Sequence, residues 1–488
     1  MTGEPLNRLH GRSVLVAGAA ISGLAAARAL VELGARVLVF DDSSERLAQL
    51  PSGCEPVSGL RAVPADTALV VTSPGWRPDN PLLRSALDAG VEVIGEPELA
   101  WRWTLPGGPG EGHAPRWWVV TGTNGKTTTV GMLESILAAA GRDVAACGNV
   151  GTPVIDAVRA GREELVVELS SFQLHWSPSI RPSGGCLLNI AEDHLDWHGG
   201  MAAYVAAKER ALTGDVAVAG IDDPVAAAAL ARCPAPTRLG VTLGEPAQGQ
   251  FGVLDGTLTD HAYGDGPLPL LGADEVRPAG PPGLIDALAA SALARAAGAT
   301  PSEVADGLRA FGPGPHRGAV VGERAGVRFV DDSKATNPHA ADAALAGHPR
   351  VVWIAGGVLK GASVTKLVQD HAHRLVGVVL LGIDRGTFRD ALLRHAPQVQ
   401  VEEVHPGEHG PMTDAVTLAA GMAAPGDVVL LAPAAASLDQ FRDYAARGDA
   451  FAEAVAALPA AAEPSARPSA RPSARPSVTP VLPSDTPR

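Results

Sequence analysis

Trp117-Trp-Val-Val-Thr-Gly-Thr-Asn-Gly-Lys-Thr-Thr-Thr129 is the stretch whose reading decides the fold. Two tryptophans and two valines predict a buried strand, and Thr127 to Ala140 predicts a helix that stops at Gly141. Between them lies Gly122-Thr123-Asn124-Gly125-Lys126-Thr127-Thr128. Such a turn aims backbone N–H groups and the positive end of a helix at one point, which favours a phosphate group there. Lys126 adds a full charge near the outer phosphates, and the Thr127 hydroxyl is placed to ligate magnesium. The general phosphate-loop spacing asks for a glycine where Val120 stands, so this cradle is a shortened variant. A plain strand-to-helix turn with a surface lysine is the rival reading. The glycine, lysine and paired threonines directly after an apolar strand favour the phosphate site.

The 488 residues suggest roughly three domains. A net charge of −14 argues against a nucleic-acid partner, because neutralising phosphates needs a basic face. Cys54, Cys147, Cys186 and Cys233 lack metal-ligand spacing and sit in apolar neighbourhoods, which points to a reducing cytosol. No signal-peptide core and no apolar run of membrane-spanning length is visible, so a cytoplasmic protein without membrane insertion is expected, as a monomer.

Outward from the cradle, Ser13 to Asp42 reads as a βαβ unit with a glycine turn and an acid after its second strand. The middle glycine of a dinucleotide fingerprint is Ala20 here, which leaves open a redox cofactor or another nucleotide-bearing molecule. Ala68 to Gly75 reads as a strand with a small-residue turn, and Val91 to Glu98 as another. Pro106 to Pro115 reads as a linker that neither packs nor forms regular structure. Leu165-Val-Val-Glu168 is a buried strand ending in an acid suited to a magnesium ion or its water, with a solvated strand-end carboxylate as the alternative. Cys186 to Ile190 is a third strand, followed by Glu192-Asp-His194-Leu-Asp196. Tyr204 and Lys208 lie one helical turn apart, where a lysine is ordinarily a solvated surface charge. Phe251 to Leu271 predicts a small β-rich excursion, Ile285 to Ala297 a helix, and Phe311 to Gly318 a second linker. Four further strands, near residues 328–330, 351–354, 378–381 and 427–431, each precede a polar or glycine turn. The fold class is therefore α/β in three domains, Rossmann-like over 1–105, phosphate-loop ATPase-like over 116–313 and Rossmann-like over 314–460. The Pro-Ser-Ala-Arg repeats of 461–488 predict a disordered tail.

From Ser13 to Phe451 this pattern resembles the Mur ligases, the ATP-dependent amide-forming enzymes of peptidoglycan precursor synthesis. The cradle, Glu168-Leu-Ser-Ser-Phe-Gln173, Glu192 to Asp196 and Tyr204-x-x-x-Lys208 are shared broadly among them. Asp331-Asp-Ser-Lys-Ala-Thr-Asn337 and Ser437-Leu438-Asp-Gln-Phe441 look like the member that adds D-glutamate to UDP-N-acetylmuramoyl-L-alanine. The resemblance implies phosphorylation of the precursor carboxylate by ATP, then attack by the D-glutamate amine. It implies Lys126 on the γ-phosphate, Thr127 and Glu168 on a first magnesium and His194 on a second. It also implies that Lys208 is carbamylated and acts as a metal ligand. Arg317, Asp332 and Lys334 are implied on the nucleotide, Thr336 and Lys360 on one carboxylate of D-glutamate, and Ser437 and Tyr444 on the other. Ile21, Ser22, Asp41, Ser73 and Gly75 are implied on UDP, and Asn149, Ser170 and Gln173 on the muramoyl-alanine arm.

The chain departs from the family at three places. Pro282-Gly283-Leu-Ile-Asp286 stands where a His-Asn-x-x-Asn stretch usually reads adenine, Ala319 replaces a common glutamate, and Tyr444 replaces a common phenylalanine. An oxidoreductase built on the first βαβ unit, and a ligase for folate or for a different amino acid, are the competing readings.

Overall fold

The computed structural model describes residues 5–405 and 410–459. The expected tail of 461–488 lies outside them. Three sheets organise these residues. The first has five parallel strands in the spatial order Cys54–Val57, Arg36–Phe40, Ser13–Ala17, Thr67–Thr72, Val93–Gly95. The βαβ unit is present, with its helix at Ile21–Glu32. The expected strand over Val91 to Glu98 is cut short, because Glu96 starts a helix that runs to Trp103. Pro97 suits the first helical turn, and both Glu96 and Glu98 are buried there.

The central sheet has nine strands, and its middle carries the cradle: Val216–Gly220, Gly184–Leu187, Arg116–Thr121, Glu164–Glu168 and Val144–Gly148 lie side by side and parallel. Antiparallel pairing of Gln250–Leu254, Thr257–Asp260 and Leu268–Gly272 forms the expected β-rich excursion. The third sheet has six strands, with Val327–Asp331, Val428–Leu431, Val351–Gly356 and Leu375–Leu381 adjacent and parallel at its centre. Two of its strands, Ala319–Arg324 and Gln400–Glu403, have no signal in the sequence, being short and half polar.

One apolar core runs through both of the first two sheets, joining Val14, Val39 and Leu69 to Trp117, Val119 and Leu165. The helix Glu96–Trp103 fastens them further. Glu96 Oε1 accepts from the Ile155 N–H at 2.6 Å, Glu98 Oε2 accepts from the Ser179 N–H at 3.0 Å, and Trp101 packs edge-on against Trp117. The third sheet has its own pair of cores, one on each face. The stretch 106–115 forms turns and does pack: the Gly110 N–H donates to the Trp103 carbonyl at 2.9 Å, and Gly107 accepts from the Asn7 N–H at 3.0 Å. Backbone hydrogen bonds hold it where its side chains offer nothing to bury.

Candidate active site

Register places the three central strand ends together: Val120 is level with Glu168 on one side and with Cys186 on the other. The loop after the middle strand turns through Gly125, which has φ 85° and is the N-cap of the helix Lys126–Ala139. Its left-handed backbone suits glycine, and a Cβ there would stand 2.2 Å from Asp286 Oδ1. The amides of Lys126, Thr127 and Thr128 form the first helical turn, the orphan donors that an anion can satisfy. Asn189 ties the loop from below, accepting from the Asn124 N–H at 2.9 Å. Thr123 Oγ1 lies 2.9 Å from the Tyr204 hydroxyl and also accepts from the Ala191 N–H at 2.9 Å.

Two lysines meet behind this loop. Lys126 Nζ donates to the carbonyls of Gly122 at 3.0 Å and Thr123 at 2.9 Å. Lys208 Nζ donates to the Gly122 carbonyl at 2.6 Å and lies 4.9 Å from the Tyr204 ring centre. Lys208 is 2 % exposed and so is not the solvated surface charge that its helix alone would suggest: the helix, Met201–Glu209, turns it inward beneath the cradle. Burial first, and then the Lys126 charge, push its ammonium well below the ordinary lysine range, while Asp193 and Glu168 oppose the shift. Burial also lowers Lys126, with Lys334 and Arg317 adding to the effect.

Glu168 is 2 % exposed. Its Oε1 accepts from Asn149 Nδ2 at 2.9 Å, and its Oε2 is buried without a partner. A buried carboxylate oxygen left bare calls for a cation. Among the described residues no group of three or more His, Cys, Asp or Glu is assembled for a metal ion. A single bare carboxylate oxygen beside the cradle fits magnesium, which takes one or two protein carboxylates and completes its shell with waters and phosphate oxygens.

His194 has φ 53° and caps the short helix Leu195–His198. Its ring centre is 4.6 Å from that of Phe172, and its Nε2 is 3.4 Å from Asp193 Oδ2. Burial and the nearby Lys360 and Lys208 charges lower it to about 4 despite Asp193, so the imidazole is neutral near pH 7 and can act as a ligand. Lys126, Glu168, His194 and Lys208 thus form one cluster, each within electrostatic reach of another.

The C-terminal domain faces it. Asn337 Nδ2 donates to Asn124 Oδ1 at 3.0 Å, joining the cradle to the N-cap of the helix Pro338–Ala346. Three loops converge behind that contact. The Ala434 N–H donates to the Ala335 carbonyl at 2.9 Å, and Val358 and Ala436 pair, which brings Lys360 and Ser437 onto one wall. Arg447, 0 % exposed, clamps the assembly through Ser333 and the Ala435 carbonyl. Lys334 Nζ sits 3.9 Å from the Tyr444 ring centre and is lowered to about 8 by burial and Arg317. Asp332 is raised to about 7 by burial and by its neighbour Asp331. Thr336 is half-buried in the same loop, its N–H donating to the Lys334 carbonyl at 2.8 Å, and Leu438 is exposed. His316, inside the expected second linker, is buried against Asp331 at 2.6 Å, so that segment is packed at its end.

Around the first sheet, a cleft of about 800 Å³ is lined by Asp41, Ser43, Arg46, Gly75, Trp76 and Arg77. Asp41 commits its oxygens to the Ala19 and Ser43 N–H groups, at 2.7 and 2.8 Å, so it shapes the cleft floor. Ile21 is 72 % exposed at the start of its helix, beside Ser22, and Ser73 backs the glycine turn at Gly18. Ser170 and Gln173 form a reciprocal capping box at the helix Ser171–His175, so their side chains are engaged with each other. Asn189, Asp193, Asn337 and Arg447 belong to the site although sequence reasoning assigned them no role. Asn337 and Asp193 had a signal, each as a member of a quoted motif.

A central nucleotide-type cradle flanked by two further α/β domains is the architecture of the Mur ligases. The chain matches the Mur ligase MurD-like N-terminal domain over 12–95, the Mur ligase middle domain over 120–249 and the Mur ligase glutamate ligase domain over 316–435. It is 51 % identical over 473 residues to UDP-N-acetylmuramoylalanine–D-glutamate ligase of Nocardia farcinica, covering 93 % of this chain and 98 % of that one. Against the same-named ligase of Rhodococcus jostii it is 52 % identical over 485 residues, covering 93 % and 97 %. The chain belongs to the Mur ligase family. In fold it is similar to the UDP-N-acetylmuramate-alanine ligase MurC of Thermotoga maritima, with TM-score 0.54, 19 % identity and coverage of 91 % and 99 %. MurF of Acinetobacter baumannii is similar to the same degree, with TM-score 0.54, 19 % identity and coverage of 87 % and 88 %. Membership sets aside the oxidoreductase reading of the first βαβ unit. Among the described residues no helix is long and apolar enough to cross a membrane, and all four cysteines are free.

Proposed function

We propose that this chain joins D-glutamate to UDP-N-acetylmuramoyl-L-alanine at the expense of ATP. The observation that carries the reading is the meeting of Lys126, Glu168, His194 and Lys208 at three adjacent strand ends, facing the Lys334, Lys360 and Ser437 loops. Residues 1–105 bind the UDP precursor, 116–313 ATP, and 314–460 D-glutamate. One chain supplies all three sets, which fits a monomer working in the cytoplasm.

A carboxylate is a poor electrophile, so the terminal phosphoryl group of ATP is first transferred to a carboxylate oxygen of the L-alanyl group, and ADP leaves with the bridging oxygen. The amine of D-glutamate then attacks the acyl carbon, phosphate departs, and the amine loses a proton to give the amide. Lys126 and the Gly122–Thr128 amides hold the transferring oxygens, where added donors act on developing charge. Magnesium, when bound, would neutralise charge on those oxygens: Thr127 and Glu168 would hold a first ion and His194 a second, with carbamylated Lys208 as a further metal ligand. The depressed ammonium of Lys208 leaves a free amine that adds carbon dioxide, forming an N–C bond and releasing a proton. Arg317, Asp332 and Lys334 meet the nucleotide, and Thr336, Lys360, Ser437 and Tyr444 the carboxylates of D-glutamate, which local donors must hold in an acidic protein. Ile21, Ser22, Ser73 and Gly75 take the UDP moiety over the Asp41 floor, with Asn149, Ser170 and Gln173 near the muramoyl-alanine arm.

The test is incubation with ATP, the precursor and D-glutamate, following phosphate release and product mass. Phosphate release independent of D-glutamate, or preference for L-alanine or a diamino acid, overturns the assignment.

A further inference from the structure

Arg77 stands in the loop after the strand Thr67–Thr72 and walls the first-sheet cleft, yet its guanidinium reaches into the central domain. Nη2 donates to the Asp196 carbonyl at 2.8 Å and Nη1 to Asp196 Oδ2 at 3.3 Å, while Nε donates to Asp79 Oδ1 at 3.1 Å. Asp196 belongs to the helix Leu195–His198, only four residues long, bracketed by left-handed residues His194 at φ 53° and Gly199 at φ 78°. A helix so short does not sustain itself, and a non-glycine left-handed residue persists only where its surroundings fix it. Those surroundings come from both domains: Phe172 of the central domain packs on His194 and Trp197, and the first domain supplies the rest. Trp197 is buried in one cluster with Leu15, Phe40 and Val70 of the first sheet. The turn bearing His194 is therefore held in part by the N-terminal domain, although it emerges from the central sheet.

We propose that Arg77 is a positioning residue for the metal-binding arm of the site: by gripping Asp196 across the domain boundary, it fixes the His194 imidazole toward the crevice. The proposal rests on the reading of His194 as a magnesium ligand. Arg77 touches no reacting atom, and its effect passes through the backbone of Asp196 to the residue two positions earlier.

The test uses the full chain with a non-hydrolysable ATP analogue and Mn²⁺ as the probe, its binding read by electron paramagnetic resonance. Arg77→Ala should weaken Mn²⁺ binding roughly tenfold, the usual size of a lost support behind a metal ligand. Arg77→Lys should recover part of that loss, because one donor to the Asp196 carbonyl is kept. The melting temperature should hold, since Arg77 is exposed. Unchanged Mn²⁺ affinity in Arg77→Ala overturns the proposal. So does a change confined to precursor KM, which would make Arg77 a contact for the precursor's diphosphate. Failure of the unaltered protein to form the amide product would remove the functional reading instead, and the Mn²⁺ comparison would still decide the role of Arg77.

Discussion

Lys126 and Lys208 share one acceptor: both ammonium groups donate to the carbonyl of Gly122, at 3.0 and 2.6 Å. Two lysine nitrogens on one backbone oxygen, each pushed down by burial, with Glu168 and Asp193 nearby, form a buried cluster whose charge must be balanced. On the proposed reading, an incoming triphosphate would supply negative charge on the Lys126 side, and a carbamate on Lys208 would supply it on the other.

Lys208→Ala should be nearly inactive and partly recovered by short free carboxylates such as formate. Wild-type protein equilibrated with ¹³C-labelled carbon dioxide should show a carbamate carbon signal that the variant lacks. Full activity in Lys208→Ala contradicts the role.

For Lys126→Ala the expected loss is in turnover, about 10²- to 10³-fold, the range seen when a donor to developing charge is removed. Circular dichroism should report an unchanged fold. Undiminished turnover refutes the assignment.

Gly125→Ala should damage both stability and nucleotide binding. The left-handed backbone costs an alanine about 1–2 kcal/mol, and the new Cβ meets Asp286 at 2.2 Å. Urea unfolding should show a loss of roughly 2–4 kcal/mol once overpacking is included, and the KM for ATP should rise more than tenfold. Wild-type values for both would mean that the loop relaxes freely.

His198 gives a pH signature. Burial and the neighbouring His175, His194 and Lys208 lower it from 6.5 to about 4. The unfolded chain therefore binds the proton more readily than the folded one between those values. Its contribution to stability is complete above pH 6.5 and is lost as pH falls toward 4. The melting temperature should drop over that window less steeply in His198→Asn than in the unaltered protein, and parallel curves would exclude the group.

The cradle was legible because its chemistry is local. Glycine, lysine and threonine at fixed offsets after an apolar strand declare a phosphate turn before any tertiary contact is known. The strand-end acid Glu168 and the three-sheet plan followed from apolar runs. The burial of Lys208 was not readable from its own helix, since the Gly122 carbonyl, which comes from the distant cradle, is the chief partner that makes an inward lysine tolerable. Glu96 was misplaced because Val-Glu-Val-Ile alternates like a strand, whereas its carboxylate is wanted by the Ile155 amide from another domain. Arg447 and Asn337 draw their roles from partners more than a hundred residues away, which no spacing rule reaches.

The continuous apolar interior linking Val14 to Leu165, set against the self-contained interior of the third sheet, divides the chain into two cooperative blocks of unequal size. A calorimetric scan should accordingly resolve a pair of endotherms, and the polypeptide should tolerate being expressed as complementing halves cut between Phe311 and Gly314.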